Sequence, residues 1–136
     1  MIVYVAGPIR ADSDIERKNF VLQAATVSYH LRKLGHTVLC PHEQSSFGAD
    51  CMDTNGWIQH DLNFLALCQA CYICNGWENS QGTLLEINFC VERGIPIYRA
   101  YMDDGILIRN SFDPYRYEDL WQGKLDSWRK VMSQHD

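Results

Sequence analysis

The fold is decided by Ile2-Val3-Tyr4-Val5-Ala6-Gly7-Pro8-Ile9-Arg10. Five apolar residues in succession run into a Gly-Pro turn. An unbroken run of that length suits a strand buried on both faces, as in a parallel sheet covered by helices; a half-exposed strand would alternate. Asp12, Ser13 and Asp14 follow, short acceptors that can cap a helix, and Phe20, Ala24, Val27, Leu31 and Leu34 then recur at helical spacing. Strand, glycine turn and capped amphipathic helix together make the first half of a βα unit.

The pattern repeats outward from there. Gly35 ends the first helix, and Thr37–Cys40 is a short strand stopped by Pro41. Residues 42–54 form a polar, glycine-containing loop, long enough to act as a lid. A helix over Trp57–Cys68 turns Ile58, Leu62, Phe64 and Leu65 inward, and Cys71–Cys74 is a third strand. After the turn Gly76–Gln81, a helix over Gly82–Arg93 buries Leu84, Ile87 and Val91; Gly94 closes it, and Ile95–Arg99 is a fourth strand. Beyond Arg99 the pattern weakens until Tyr117–Met132, where Leu120, Trp121, Leu125, Trp128 and Val131 mark an amphipathic terminal helix.

The expectation is one domain over residues 1–136, a βα core over 1–100 and a C-terminal extension over 101–136. Its class is α/β: a flavodoxin- or Rossmann-like open, mainly parallel sheet with helices on both faces and strand one central. Ligands of such sheets bind beyond the carboxyl ends of the strands. That directs attention to Gly7–Asp14, Pro41–Asn55 and Gly76–Glu86.

Composition narrows the ligand. A formal charge of -5 gives no electrostatic grip on a nucleic-acid polymer or an anionic membrane. The first strand is too short for a signal-peptide core or a membrane span, so a cytoplasmic protein with reduced cysteines is expected. Cys68-x-x-Cys71-x-x-Cys74 has metal-like spacing, but Cys71 and Cys74 fall in a strand, where residues three apart point to opposite faces. No metal and no cofactor is expected.

Several residues stand where chemistry is possible. Gly7 lets the backbone approach a ligand closely, and Arg10 can fork onto a phosphate or carboxylate, or simply be a solvated turn residue. Ser80 and the Gly82 amide offer a neutral anion cradle at a helix start, or plain helix capping. Glu86 sits one turn into its helix beside Leu84, Leu85 and Ile87, so its carboxylate must face the cleft or carry a burial cost. Asp61 lies between His60 and Leu62 with the same choice. Two such acids are what glycosidic cleavage uses, one meeting an oxocarbenium-like carbon and the other managing the leaving group's proton.

The runs Tyr4-Val5-Ala6-Gly7-Pro8-Ile9-Arg10, Trp57-Ile58-Gln59-His60-Asp61, Gly76-Trp77-Glu78-Asn79-Ser80-Gln81-Gly82-Thr83-Leu84-Leu85-Glu86 and Gly94-Ile95-Pro96-Ile97 resemble the nucleoside 2-deoxyribosyltransferase superfamily. The likeness is closer to its hydrolytic branch, the 2'-deoxynucleoside 5'-phosphate N-hydrolases. It implies Glu86 as the nucleophile, Asp61 as the acid that helps the base leave, and Tyr4 as a positioning hydroxyl. Gly7, Ile9 and Arg10 would line the sugar-phosphate end. The position matching Ser80 is an aspartate in the transferases, holding the 5'-hydroxyl, and a serine in the hydrolases, holding a phosphate. An aspartate there would repel a phosphate, so Ser80 and Arg10 together favour a nucleoside monophosphate. One departure is Pro8, where the hydrolases have a serine; proline removes a backbone donor from the loop.

The resemblance also implies a homodimer or higher homo-oligomer with shared active sites, Asn110 and Ser111 completing a neighbour's site. The aromatic-rich C-terminal part suggests itself as the interface. Trp57, Trp77, His42 and Glu43 are candidates for the base pocket. The expected activity is hydrolysis of a (deoxy)nucleoside 5'-monophosphate to free base and sugar phosphate, with Glu86 ionised at neutral pH. Base exchange by the same intermediate and a non-catalytic nucleotide-binding module are the alternatives.

Overall fold

The computed structural model describes residues 1–43 and 49–133, with side chains described as far as residue 126. Five strands, β1 (Ile2–Ala6), β2 (Thr37–Leu39), β3 (Ala70–Ile73), β4 (Ile97–Asp103) and β5 (Ile106–Ser111), form one sheet in the order β2-β1-β3-β4-β5. The first four are parallel and β5 returns antiparallel to β4. The α/β class and mainly parallel sheet expected from the sequence are therefore present. β1 is interior, between β2 and β3, but β5 extends the far edge and makes β3 the middle strand.

Two apolar layers separate by strand parity. Val3, Val5, Tyr72, Cys74 and Ala100 face Ala24, Val27 and Leu31 of α1 (Asp14–Lys33). Tyr4, Ala6, Cys71, Ile73 and Ile97 face α2 (Thr54–Leu65), α3 (Gln81–Arg93) and α4 (Glu118–Ser133). One helix thus covers one face and three cover the other. Cys71 and Cys74 lie in different layers, as the strand geometry required.

Helix ends follow local chemistry. Ser13 caps α1 by accepting from the Glu16 amide, and Asp53 caps α2 by accepting from Gly56. The α2 start therefore lies three residues ahead of the sequence reading. The largest difference is the hairpin β4–β5: the strand over Ile95–Arg99 instead runs to Asp103 and turns back. The turn is Asp104-Gly105, both with positive φ (50° and 76°), as a two-residue hairpin requires. The C-terminal part packs into the domain, burying Phe112, Trp121 and Leu125. Residues 44–48 of the expected lid lie outside the described residues, and Trp128 and Val131 outside the described side chains.

Candidate functional site

The register defines a level across the sheet: Ala6, Ile73, Arg99 and Asn110 are successive partners. Just past that level the β1–α1 and β3–α3 connections meet. Gly76 has φ 92°, which favours glycine, and a Cβ there would stand 3.0 Å from the Pro8 ring. Pro8 therefore serves as packing between the two loops, which explains a proline where a donor was expected. Gly7 is equally confined, since a Cβ would meet Cys74 Cβ at 3.0 Å.

The β3–α3 turn is braced from three sides. Gln23 of α1 donates to the Asn75 carbonyl (3.2 Å), Arg99 of β4 to Asn75 Oδ1 (2.9 Å), and Lys124 of α4 to the Glu78 carbonyl (2.6 Å). A turn so held presents the start of α3 in a fixed position.

Tyr4 and Glu86 come together on the three-helix face. Tyr4 is paired in register with Cys71 and is buried; Glu86 lies on α3 between the buried Thr83 and Cys90, partly reachable by solvent. Burial pushes the Glu86 carboxyl up to about 8; the Tyr4 hydroxyl opposes that rise and the nearby Asp61 adds to it. Tyr4 is itself pushed well above its usual value, by burial first and then by Glu86 and Asp61. The two groups interact closely, yet the Tyr4 hydroxyl meets no partner in full hydrogen-bond geometry. It is a buried donor directed at a carboxylate without a completed bond.

Glu86 was expected to be ionised at neutral pH, and the structure corrects that. With a pKa near 8 it is mainly protonated at pH 7 in the ligand-free protein, because neither Tyr4 nor any described cation offsets its burial. Asp61 is also raised by burial, but His60, whose Nδ1 lies 3.2 Å from Oδ1, and His42 pull it back down. The structure thus brings together Tyr4, Asp61 and Glu86.

Ser80 is the N-cap of α3. Its Oγ accepts from the Thr83 amide (3.2 Å) and from Thr83 Oγ1 (2.9 Å). Those contacts use lone pairs and leave the Ser80 hydroxyl proton available for donation. Around Gly82 a Cβ would meet nothing within 4 Å, so the first turn of α3 has an open surface where a ligand can approach its amides. An open cleft of about 260 Å³ lies beside it, lined by Pro8, Arg10, Ala11, Asp12, Glu16, Phe20, Gly76 and Asn79. Arg10 is among its lining residues and Ile9, the residue before it, is exposed, whereas Tyr4, Asp61, Ser80 and Glu86 are not among them.

Other expected residues lie elsewhere. Trp77 is core, packed edge-on against Phe112 and Tyr117, so it is not a base platform. Glu43 forms an ion pair with Arg32 (2.9 Å). Trp57 remains half-buried at the start of α2, edge-on to His60. Asn110 and Ser111 sit on the edge strand β5, exposed and three strands from β1, about 14 Å away at ordinary strand spacing. They do not line the site of their own chain.

His42 is the functional residue that sequence reasoning misplaced. It is buried, and its Nε2 donates to the Pro8 carbonyl (2.9 Å), clamping the glycine loop from the β2 side. Burial lowers its pKa, against the Pro8 and Gly7 carbonyls, which favour the charged form. Cys71 and Cys90 form a hydrogen-bonded thiol pair behind Tyr4 and Glu86, and the contact and burial hold the Cys71 thiol protonated. Among the described residues, no group of three or more His, Cys, Asp or Glu is arranged to hold a metal ion.

A family model extends over residues 1–99, from β1 into the first half of β4, and so takes in both loops and all three site residues. The chain belongs to the DUF4406 family, a domain of unknown function. No curated protein matches it. In this DUF4406 domain the family match ends inside β4, and the rest of the β4–β5 hairpin and α4 lie beyond it. Among the described residues, no helix is long and apolar enough to cross a membrane.

Proposed function

We propose that this DUF4406 domain is an N-glycosidase that hydrolyses a (deoxy)nucleoside 5'-monophosphate to free base and sugar 5-phosphate. The observation that carries the reading is the meeting of Glu86, Tyr4 and Asp61 at the carboxyl end of β1, two desolvated carboxyls and a hydroxyl with an unfinished hydrogen bond. The resemblance to the nucleoside 2-deoxyribosyltransferase superfamily supplies the chemistry. A Glu86 oxygen attacks the anomeric carbon, the carbon–nitrogen bond breaks, and its electron pair leaves with the base, which takes a proton from Asp61. Water activated by Asp61 then attacks the same carbon, releasing Glu86 and giving net retention.

Glu86 becomes the nucleophile only when ionised. The developing positive charge on the sugar and the Tyr4 hydroxyl both favour that form, and the desolvation that raises its pKa also strengthens its attraction for the oxocarbenium-like carbon. Ser80, the α3 amides near Gly82, and Gly7, Ile9 and Arg10 would receive the 5'-phosphate. The reading is of a cytoplasmic enzyme without metal or cofactor, acting as a homodimer or higher oligomer with shared sites.

One observation favours a second assignment of roles. Burial raises Glu86 to about 8 and so favours its protonated form as acid, while His60 and His42 oppose the rise of Asp61 and favour its carboxylate as nucleophile. The class of reaction is tested with a panel of nucleoside 5'-monophosphates and nucleosides, followed by chromatography for released base. Release of base from a monophosphate supports the reading; release only when a second base is supplied indicates exchange instead. No release from any of them overturns it.

A further inference from the structure

α1 carries two apolar faces. Ala24, Val27 and Leu31 pack on the sheet, which accounts for one of them. Ile15, Leu22 and Tyr29 form the other, seven residues apart and 75%, 65% and 57% exposed. At about 100° per residue this stripe points roughly 180° away from the buried face, and among the described residues none covers it. Helices exposed on a monomer's surface carry polar residues on that side.

We propose that a second copy of this chain covers the stripe, with the two α1 helices antiparallel about a two-fold axis near Leu22. It rests on the homo-oligomeric part of the proposed function and on nothing in the proposed chemistry. Three observations specify the occupant. First, the stripe is symmetric about Leu22, so a two-fold axis there sets Leu22 on Leu22 and Ile15 on the partner's Tyr29, an isologous contact. Second, the first turn of α1 is acidic (Asp14, Glu16) and the last is basic (His30, Arg32, Lys33), and antiparallel pairing sets each acidic turn against a basic one. A parallel arrangement would oppose like charges.

Third, the face extends beyond the helix. A 20-residue helix presents a stripe of about 300 Å² in projection, short of the roughly 800 Å² per partner of a stable interface. Because α1 alone covers this side, Tyr98, Met102 and Leu107 of the β4–β5 hairpin remain half-exposed beside it, and they supply the remainder. Of the C-terminal aromatics expected to form the interface, Trp121 is buried and Phe112 stacks on Tyr117, while Tyr115 is exposed and Tyr98 belongs to the face beside α1. The pairing also sets the partner's Lys33 level with Ala11 and Asp12, at the lining of the cleft beside Arg10.

Sedimentation velocity tests this without reference to turnover. The wild-type chain at about 10–50 µM, a range in which an interface of standard size is occupied, sediments as a dimer. Leu22→Glu sets two carboxylates on the axis and gives a folded monomer, its circular dichroism unchanged because Leu22 contributes nothing to the core. Asp12→Lys and Lys33→Glu each weaken the dimer several-fold, and the two together restore it. A monomeric wild type overturns the proposal. So does a Leu22→Glu variant that remains dimeric, or a charge-swapped pair weaker than either single variant.

Discussion

α3 and α1 depart from ordinary amphipathic helices in opposite directions. α3 turns a carboxylate, Glu86, inward among Thr83, Leu84, Ile87 and Cys90. α1 turns Ile15, Leu22 and Tyr29 outward to solvent. Each departure costs free energy in the isolated, ligand-free chain: an inward charge is desolvated, and an outward apolar stripe stays hydrated. Such costs persist where function needs them. On the proposed reading, the inward violation belongs to the site of chemistry and the outward one to a surface of assembly.

The largest effect expected from breaking the comparison is on turnover. Glu86→Gln keeps the shape of α3 but removes the attacking oxygen, so kcat should fall by several orders of magnitude, about 10³-fold or more, with little change in nucleotide affinity. The same variant should be more stable than wild type in alkaline solution. A carboxyl whose folded pKa is raised from 4.5 to about 8 makes folding progressively less favourable as pH rises through that window, and the loss is complete above it. Wild-type unfolding free energy should therefore decline between about pH 4.5 and pH 8 by the few kcal/mol such a shift implies, seen as a falling Tm, while Glu86→Gln lacks that decline. Parallel stability curves would show that Glu86 is not desolvated in solution.

Tyr4→Phe should have an intermediate effect. Removing the hydroxyl takes away the one group opposing the rise of Glu86, so the pH profile of kcat/KM, which climbs through about 8 in the wild type, should move to higher pH. Loss of one hydrogen bond to a charged group corresponds to about 10- to 100-fold in rate at neutral pH. Ser80→Asp is a sharper but smaller test. Aspartate caps a helix as well as serine, so α3 is preserved, and the variant should lose about tenfold or more against a 5'-monophosphate while the matching nucleoside is little affected. Equal losses on both would remove the phosphate from the Ser80 assignment. A strong chelator should change activity least of all, since a carboxylate nucleophile needs no metal.

The parallel core was legible because each of its units is local: an apolar run, a turn with glycine, a capped helix. Asp61 and Glu86 were legible because polar residues in apolar surroundings are conspicuous in a one-dimensional pattern, whereas Tyr4 came only from the family resemblance. The β4–β5 hairpin was not read, although Asp104-Gly105 is a strong two-residue turn signal, because the flanking residues lack clear alternation. His42 was read as a base-pocket candidate in a loop because its contact with Pro8, 34 residues earlier, is not recorded in the sequence. Trp77 shows the converse: a tryptophan in a site turn suggested a base platform, but Phe112 and Tyr117 from the C-terminal part enclose it. The ionisation of Glu86 was misjudged for the same reason, since burial is set by the whole fold.

The central claim, that Glu86 attacks the sugar, is tested most directly by trapping the intermediate. The wild-type enzyme is quenched with acid during turnover of a nucleoside 5'-monophosphate, digested and mapped by mass spectrometry. The account predicts a sugar-phosphate adduct on the peptide carrying Glu86, absent from Glu86→Gln. An adduct on the peptide carrying Asp61, or rapid base release with no adduct on either, would contradict it.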